Sequence, residues 1–170
     1  MPTNFYMYFI VALIPLVVGA AYYHPKTLGG IWMRANGFKE EDLQGANMPL
    51  IFGLAYVFSL ILGFFLTGLV IHQGQVFTLM IPEVMESGSA TQTTFTEFMA
   101  TYGDKYRTFS HGVVHGIITA VFFVLPLLAI NAMFERRGWK YVLVHLGYWA
   151  ISLALMGGIL CSTLEYAPIS

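Results

Sequence analysis

Charged residues are scarce in this 170-residue chain: Asp, Glu, Lys and Arg make up 10% of it, against roughly 25% in an average soluble domain. A single cysteine excludes an intrachain disulfide framework. The formal net charge of −1 provides no basic surface, so we expect no nucleic-acid partner. The sequence contains no nucleophile with a base at motif spacing, no phosphate loop and no nucleotide fingerprint. We therefore predict a protein that is not an enzyme.

Long apolar segments take the place of the missing charges, and 57% of the residues are hydrophobic. Four stretches without Asp, Glu, Lys or Arg can each supply the ~20 residues with which a helix crosses a bilayer. Helices are expected because lipid requires every backbone polar group to be satisfied within the segment. The sequence predicts an all-α membrane protein forming a single domain. Its four transmembrane helices are expected at about residues 5–23, 49–72, 111–134 and 140–163.

Lysine and arginine residues are distributed unevenly among the connections between these helices. The first and third connections hold three each, whereas the second holds only Lys105 and Arg107. Positive charge favours the cytoplasmic side of a membrane. We therefore expect the first and third connections in the cytoplasm and both termini outside.

Two of the predicted helices contain an internal proline and resemble each other. Pro15 and Pro126 each remove one backbone hydrogen bond and should bend their helices. "LIPLVVGAAYY" aligns with "VLPLLAINAMF", and "YVFSLILG" of the second helix resembles "WAISLALM" of the fourth. The chain is either two helical hairpins of equal orientation, a parallel repeat, or a chance match between apolar segments of low complexity.

The connection between the second and third helices, residues 73–110, is the longest polar segment. Aromatic residues and Met recur in it at three- and four-residue steps, which predicts an amphipathic helix at about residues 93–109 that runs into the third span. "TFTE", at residues 94–97, has the form of a capping box. We expect this helix to lie on the membrane surface or on a neighbouring subunit.

Histidines form the clearest candidate site. His111 and His115, in "FSHGVVHG", lie on one helix face, and the predicted topology brings His72 to the same membrane level. Three imidazoles suit zinc, copper or another borderline cation. Alternatively, they hydrogen-bond headgroups, water or neighbouring helices. We expect no cofactor, and a metal ion bound by the three histidines is the alternative. The isolated His145 in the fourth helix is expected to make an interhelical hydrogen bond.

Small residues spaced four apart form rows on three of the helices. Such rows let helix backbones approach closely, which matters because lipid gives helices no hydrophobic drive to associate. We expect the rows to pack helices, and their spacing does not decide whether the partner helix belongs to this chain or to another copy. The rows are Gly112, Gly116 and Ala120; Ala55, Ser59, Gly63 and Thr67; and Ala150, Ala154 and Gly158.

Basic residues cluster in "FERRGWK", between the third and fourth helices. Arg136, Arg137 and Lys140 are interpreted first as topology determinants and second as a site for anionic lipid headgroups. Glu135 can pair with one of them, in exposed surroundings where an ion pair contributes little.

Several segments resemble the DUF1761 family of small bacterial integral membrane proteins. They are "INAMFERRGWKYVLVHLGYWAISLALMGGIL", "YHPKTLGGIWMRANGFKEEDLQGANMPLIFGLAYVFSLILGFFL" and the "HG" that opens the third helix. The resemblance covers nearly the whole chain except the second connection, which is longer here than in the family pattern. It implies a four-helix membrane protein without an established activity, and it supplies no catalytic residues.

These observations lead to an expected function and two alternatives. We expect a non-enzymatic protein of the bacterial inner membrane that acts as a homo-oligomer or as an accessory subunit of a larger membrane complex. The first alternative is a metal- or small-molecule-binding protein that uses His72, His111 and His115. The second, a small carrier or channel, is disfavoured because the spans contain no Asp, Glu, Lys or Arg.

Overall fold

The computed structural model describes residues 2–167, and its regular secondary structure over that range is helical. This confirms the all-α prediction. The α-helices are α1 Tyr6–Val11, α2 Ile14–Tyr22, α3 Gly29–Asn36, α4 Met48–Val70, α5 Gln73–Met80, α6 Ala90–Tyr102, α7 Phe109–Thr119, α8 Leu125–Phe134 and α9 Trp139–Thr163. A π-helical segment, Ala120–Val124, joins α7 to α8, and 3-10 turns lie at Glu40–Leu43 and Glu83–Met85.

Three helices are long and apolar enough to cross a membrane: Met48–Val70, Phe109–Phe134 and Trp139–Thr163. They agree with the second, third and fourth predicted spans to within about two residues at each end. Along α4, Phe58, Ile61 and Phe65 are more than half exposed, as expected of side chains that face lipid. The chain is therefore a multi-pass membrane protein.

The first predicted span is interrupted, and its apolar helical region, Tyr6–Tyr22, is shorter than the other three. A proline explains the interruption. Pro15 is the second residue of α2, and α1 ends at Val11, four residues earlier. A proline ring clashes with the carbonyl four residues before it and supplies no N–H. In the third span Pro126 is likewise the second residue of α8, directly after the π-helical segment. The predicted bends at the two prolines stay a prediction.

The surface helix of the long connection differs from the prediction in its bounds. It is α6, Ala90–Tyr102, and a non-helical segment at residues 103–108 separates it from α7. The prediction that it runs into the third span was therefore wrong. The predicted capping box was also wrong, because Ser89 is the N-cap and accepts a hydrogen bond from the Gln92 amide. The Thr94 hydroxyl instead donates to the carbonyl of Ala90, inside the helix.

Helix α9 lies at the centre of the molecule and contacts α1 to α4, α7 and α8. Its buried face carries Leu153, Met156 and Leu160, each with no exposed surface. They pack with Leu66 of α4 and with Val11 of α1. Because apolar burial contributes little between helices in lipid, close van der Waals packing and interhelical hydrogen bonds hold these elements together.

Two opposite ends of this bundle are used below. We call the histidine end the one at which α1 and α7 begin and α4 and α9 end. Here the Asn4 side chain donates to the carbonyl of Thr163 at 2.6 Å, and the Thr3 amide donates to the carbonyl of Glu165 at 2.8 Å. We call the opposite end, with Tyr23, the tyrosine end.

Candidate metal site

Three histidines from two separate spans meet at the histidine end. The Nε2 atoms of His72 and His111 are 3.1 Å apart, and one ring nitrogen from each of His72, His111 and His115 lies within 4.8 Å of the others. The ring centroids are 4.5 Å apart for His111 and His115, 4.9 Å for His72 and His115, and 5.1 Å for His72 and His111. The structure therefore brings together the three histidines selected from the sequence.

Glycines on α7 set the position of its two histidines. A Cβ atom on Gly112 would overlap the carbonyl oxygen of Gly157, and one on Gly116 would overlap the carbonyl oxygen of Leu153. Only glycine allows the backbones of α7 and α9 to lie this close. The contact fixes the height and rotation of α7, and with them the direction of the neighbouring face that carries His111 and His115.

Helix α7 begins at a side-chain cap next to these histidines. Thr108 is the N-cap, and its hydroxyl accepts a hydrogen bond from the His111 amide at 3.3 Å. A threonine cap satisfies one of the free N–H groups of the first turn. The cap holds the first turn of α7, which contains His111, in helical form.

His72 is positioned by the buried residues that precede it. Val70 and Ile71, at the end of α4, are 1% and 2% exposed. The single S–H of the buried Cys161 on α9 is shared between the carbonyl of Val70, 3.2 Å from the sulfur, and the carbonyl of Tyr106, 3.3 Å from it. These contacts attach the end of α4 to α9, so that His72 emerges from the core beside α7.

Tyr106 completes the surroundings of the cluster, although sequence analysis did not select it. Its ring stacks on that of His111, with centroids 5.1 Å apart and an angle of 17° between the planes. Its φ is +63°, a left-handed conformation that is uncommon for a bulky residue. The carbonyl of Tyr106 accepts from the Thr108 amide and from the Cys161 thiol. Nothing in the sequence indicates a left-handed tyrosine, because a glycine or asparagine is the usual signal.

The spacing of the imidazole nitrogens suits a small divalent ion. In tetrahedral coordination with Zn–N bonds of about 2.0–2.1 Å, neighbouring ligand nitrogens lie about 3.3–3.4 Å apart. The 3.1 Å between His72 and His111 is close to this value. A single proton shared between the same two Nε2 atoms, in an N–H···N hydrogen bond, also fits the distance.

Access and composition distinguish the cluster from a closed structural zinc site. His72 is exposed, and the other two histidines are partly buried. Within residues 2–167, no carboxylate or thiol joins the three imidazoles. Three protein ligands with one side open to solvent are the arrangement in which a zinc ion keeps a fourth position for water or another ligand.

Most residues of the three predicted small-residue rows contact other helices of this same chain or hydrogen-bond within their own helix. Gly112, Gly116 and Ala120 are buried, the two glycines directly against α9. Gly63 faces Tyr8 and Met156, and Gly158 faces the Phe109 ring. Buried Ser59 and Thr67 donate to carbonyls of their own helix, whereas Ala55, Ala150 and Ala154 are half-buried.

The basic cluster at the tyrosine end divides into two parts. Arg137 donates to the carbonyl of Asn36, on α3, and its Nε lies 3.9 Å from Glu135 Oε2. That ion pair is solvent-accessible and weak. Arg136 and Lys140 are exposed. Binding of anionic headgroups by the three basic residues stays a prediction.

The isolated His145 makes the interhelical contacts expected of it. Its Nδ1 atom is 3.3 Å from the Tyr23 hydroxyl, at the end of α2, and its Nε2 atom is 3.5 Å from the Asn36 amide nitrogen, at the end of α3. Both ring nitrogens thus face polar groups of other helices. The prediction of a structural histidine is confirmed.

Comparison with known proteins identifies the family and supplies no activity. No curated protein and no solved structure significantly matches the chain. A family model described as "Protein of unknown function (DUF1761)" matches residues 6–161. The match includes the long connection, all three clustered histidines and the three long spans except the last two residues of α9. The chain therefore belongs to the DUF1761 family of proteins of unknown function.

Proposed function

We propose that this protein binds a borderline transition-metal ion, Zn²⁺ or Cu²⁺, through His72, His111 and His115. One observation carries the proposal: a ring nitrogen from each of the three lies within 4.8 Å of the other two. Imidazole is a common ligand of both ions.

Helix periodicity alone does not produce this cluster. It accounts for the approach of His111 and His115, which are four residues apart. His72 lies in the turn between α4 and α5, 39 residues before His111 in the chain. Its ring reaches the pair because α4 and α7 both pack on α9, and the buried contacts of Val70 and Gly112 hold those helices in place.

Metal titration of the full-length protein in detergent tests the proposal. We expect one Zn²⁺ or Cu²⁺ per chain by calorimetry. At an ion concentration 100 times Kd, we expect the folded state to be stabilised by about 2.7 kcal/mol. Replacing His72, His111 and His115 by alanine should abolish both effects. Because none of these residues is fully buried, the variant should still fold.

The matched control is His24→Ala, which removes an exposed histidine at the tyrosine end. It should leave the stoichiometry and the Zn²⁺-dependent stabilisation unchanged. The N–H···N hydrogen bond would be the correct interpretation of the cluster if wild-type protein bound no ion and the triple variant differed from it only in stability.

The proposed orientation places the histidine end outside the bacterial inner membrane. Tyr6–Tyr22 is proposed as a fourth span, with both termini outside. The charge distribution supports this, because six of the eight Lys and Arg residues lie in the two connections at the tyrosine end. A short span can be accommodated by local thinning of the bilayer. The corresponding interruptions near Pro15 and Pro126 support a parallel repeat of two hairpins.

Cysteine labelling in intact cells tests the orientation. Ser89→Cys lies in the connection at the histidine end and Lys39→Cys in a connection at the tyrosine end, whereas native Cys161 is buried. A membrane-impermeant maleimide should label only Ser89→Cys before lysis and both variants after lysis. Labelling of Lys39→Cys in intact cells would reverse the topology.

We also propose that the protein assembles with a second copy or with a larger membrane complex. This proposal has less support than metal binding. The small-residue rows that suggested it make contacts inside the chain, notably between α7 and α9. Native mass measurement of the detergent-extracted particle tests it. A monomer without companion proteins would contradict the assembly role and leave the metal proposal unaffected.

A further inference from the structure

Two large apolar side chains at the end of α5 are uncovered, although they lie outside the three long spans. Leu79 is 85% exposed and Ile81 is 47% exposed. An isolated exposed leucine is common on a protein surface, but Leu79 is more exposed than the lipid-facing Phe58 of α4, at 64%. What covers these two side chains depends on where α5 lies relative to the bilayer.

Helix α5 begins at the level at which α4 leaves the hydrocarbon core. The 23 residues of α4 extend over about 35 Å, slightly more than the roughly 30 Å of the core. Only Ile71 and His72 separate α4 from α5. The side-chain amide of Gln75 donates at 2.9 Å to the carbonyl of Gly68, in the last turn of α4. The start of α5 therefore lies beside that turn, at the membrane surface.

Two opposite faces of α5 contact different parts of the protein. Residues four apart differ by about 40° around a helix, and residues two apart by about 200°. Leu79 therefore shares the face of Gln75, which is bonded to α4. Phe77 lies on the opposite face, where its ring packs on that of Phe95 in α6, with centroids 5.7 Å apart. Helix α6 thus covers the side of α5 that is turned away from α4, and Leu79 lies on the side towards α4 and the lipid around it.

Polar side chains of α5 are hydrogen-bonded to protein carbonyls. Besides the bond from Gln75, the Gln73 amide donates to the carbonyls of Tyr102 and Lys105, both at 2.9 Å. The Thr78 hydroxyl donates to the carbonyl of Gly74 at 2.8 Å. Burying a polar group costs much less when it already has a hydrogen-bond partner. These bonds therefore allow α5 to lie against lipid.

The chain from α4 to the end of α5 contains no charged residue. Asp42 is the last one before this segment and Glu83 is the first one after it. The lipid-facing surface of α4 reaches its last turn, where Leu69 is 36% exposed. Leu79 and Ile81 therefore continue an apolar surface that already faces lipid, without a charge between them.

We propose that α5 is an interfacial helix that inserts Leu79 and Ile81 into the lipid of the adjoining leaflet. Its partner is the bilayer, and interfacial helices bury an apolar face roughly 5–10 Å into the boundary between headgroups and acyl chains. His72 is the N-cap of α5, so the inserted helix holds this histidine at the level of the headgroups. The inference does not depend on metal binding.

Nitroxide labels on the full-length protein in phosphatidylcholine vesicles test the proposal. Native Cys161 is buried, so one new cysteine at a time can carry the label. Spin relaxation is measured with O₂, which concentrates in lipid, and with a water-soluble nickel chelate, which stays in water. Leu79→Cys and Ile81→Cys should show high O₂ and low nickel accessibility, as should Phe58→Cys, the lipid-facing reference on α4.

Glu97→Cys is the matched control in the same connection. Glu97 is exposed on α6, two residues after Phe95 and therefore on the face away from α5. The ratio of O₂ to nickel accessibility should be at least about tenfold higher at Leu79→Cys than at Glu97→Cys, because lipid excludes the polar chelate. All four variants replace exposed side chains, so each should fold.

Two results would overturn the proposal. Nickel accessibility at Leu79→Cys equal to that at Glu97→Cys would place α5 in water. Low accessibility to both reagents, with an immobilised label, would show that protein covers Leu79, whether a second copy of this chain or another partner. A label in lipid remains mobile, which separates the bilayer from both protein alternatives.

Discussion

At both ends of the bundle, histidine rings lie among aromatic rings. The two ends differ in which groups form hydrogen bonds with the ring nitrogens. At the tyrosine end, both ring nitrogens of His145 face other protein groups, the Tyr23 hydroxyl and the Asn36 amide. At the histidine end, the nearest polar partner of the His111 Nε2 atom is another imidazole nitrogen, that of His72. An imidazole whose nitrogens are both occupied holds helices together and has no lone pair left for an ion.

The ends also differ in how their helices approach each other. Gly116, towards the histidine end, faces the backbone of α9, whereas Gly147, towards the tyrosine end, faces the hydroxyl of Tyr22. A side chain can turn away from an added methyl group and a backbone cannot. The contact between α7 and α9 is therefore less able to adjust than the contact between α9 and Tyr22, which suits a site that needs fixed ligand geometry.

The largest effect is expected from this difference in packing. Gly116→Ala should lower the free energy of unfolding by about 3 kcal/mol, because α7 must move away from α9. Gly147→Ala should cost less than about 1 kcal/mol, since Tyr22 can turn aside. Unfolding in mixed micelles measures both. Gly53→Ala, with open space around its Cβ position on α4, is the control and should be neutral or slightly stabilising. Equal losses at Gly116 and Gly147 would contradict the comparison.

The next effect concerns metal affinity. His111→Ala should weaken Zn²⁺ binding by more than about 100-fold, beyond the 10- to 100-fold cost of losing an outer-shell partner. His145→Ala should leave Zn²⁺ affinity unchanged and lower stability by about 1–3 kcal/mol, because Tyr23 and Asn36 lose their partner. Calorimetric titration and unfolding of both variants measure this double contrast. The distinction between the ends fails if His145→Ala weakens Zn²⁺ binding as strongly.

A smaller effect is expected from the helix caps. Thr108 caps α7 at the histidine end, and Asn47 caps α4 at the tyrosine end. Replacing either by alanine should cost about 1 kcal/mol of stability. Only Thr108→Ala should also reduce Zn²⁺ affinity, because its hydroxyl accepts from the His111 amide. Zn²⁺ titrations of the two variants in parallel decide this, and equal affinities would show that the cap does not orient the ligand.

The smallest effect is expected at the exposed basic residues of the tyrosine end. Lys140→Gln should weaken association with anionic lipid by about 1 kcal/mol or less, and salt should reduce the difference. Binding of phosphatidylglycerol to the wild-type and variant proteins in neutral micelles measures it. Lys105→Gln, at the other end, is the matched control. The headgroup prediction is wrong if both variants bind phosphatidylglycerol equally.

The positions of the three long spans could be predicted because a membrane helix is defined by length and composition. Asn47 and Gly138, directly outside α4 and α9, lie within two residues of the predicted starts. The meeting of His72 with His111 also followed from topology, which brings the end of one span to the start of another. Both inferences need only an element's length and direction.

Other features depend on local backbone geometry that hydropathy does not report. The left-handed Tyr106 breaks the aromatic pattern from which a helix up to residue 109 was predicted. The sequence could not identify the residue that packs against Gly112, because a row of small residues spaced four apart fits any closely packed helix. Only the tertiary structure identifies that residue as Gly157. Gln73, whose side-chain amide donates to the carbonyls of Tyr102 and Lys105, carries no sequence signal at all.

The π-helical segment at Ala120–Val124 divides the third span into two α-helical parts, α7 and α8. Because of this segment, the side chains of α8 do not continue the faces of α7. A π turn holds more residues than an α turn, and each residue of an α-helix advances the azimuth by about 100°. Deleting one residue in this segment would rotate α8 about 100° against α7. Either Ala132, now buried on α8, would turn to the outside, or the two histidines of α7 would turn away from His72. The extra residue therefore lets α7 direct its histidines towards His72 while α8 keeps Ala132 buried.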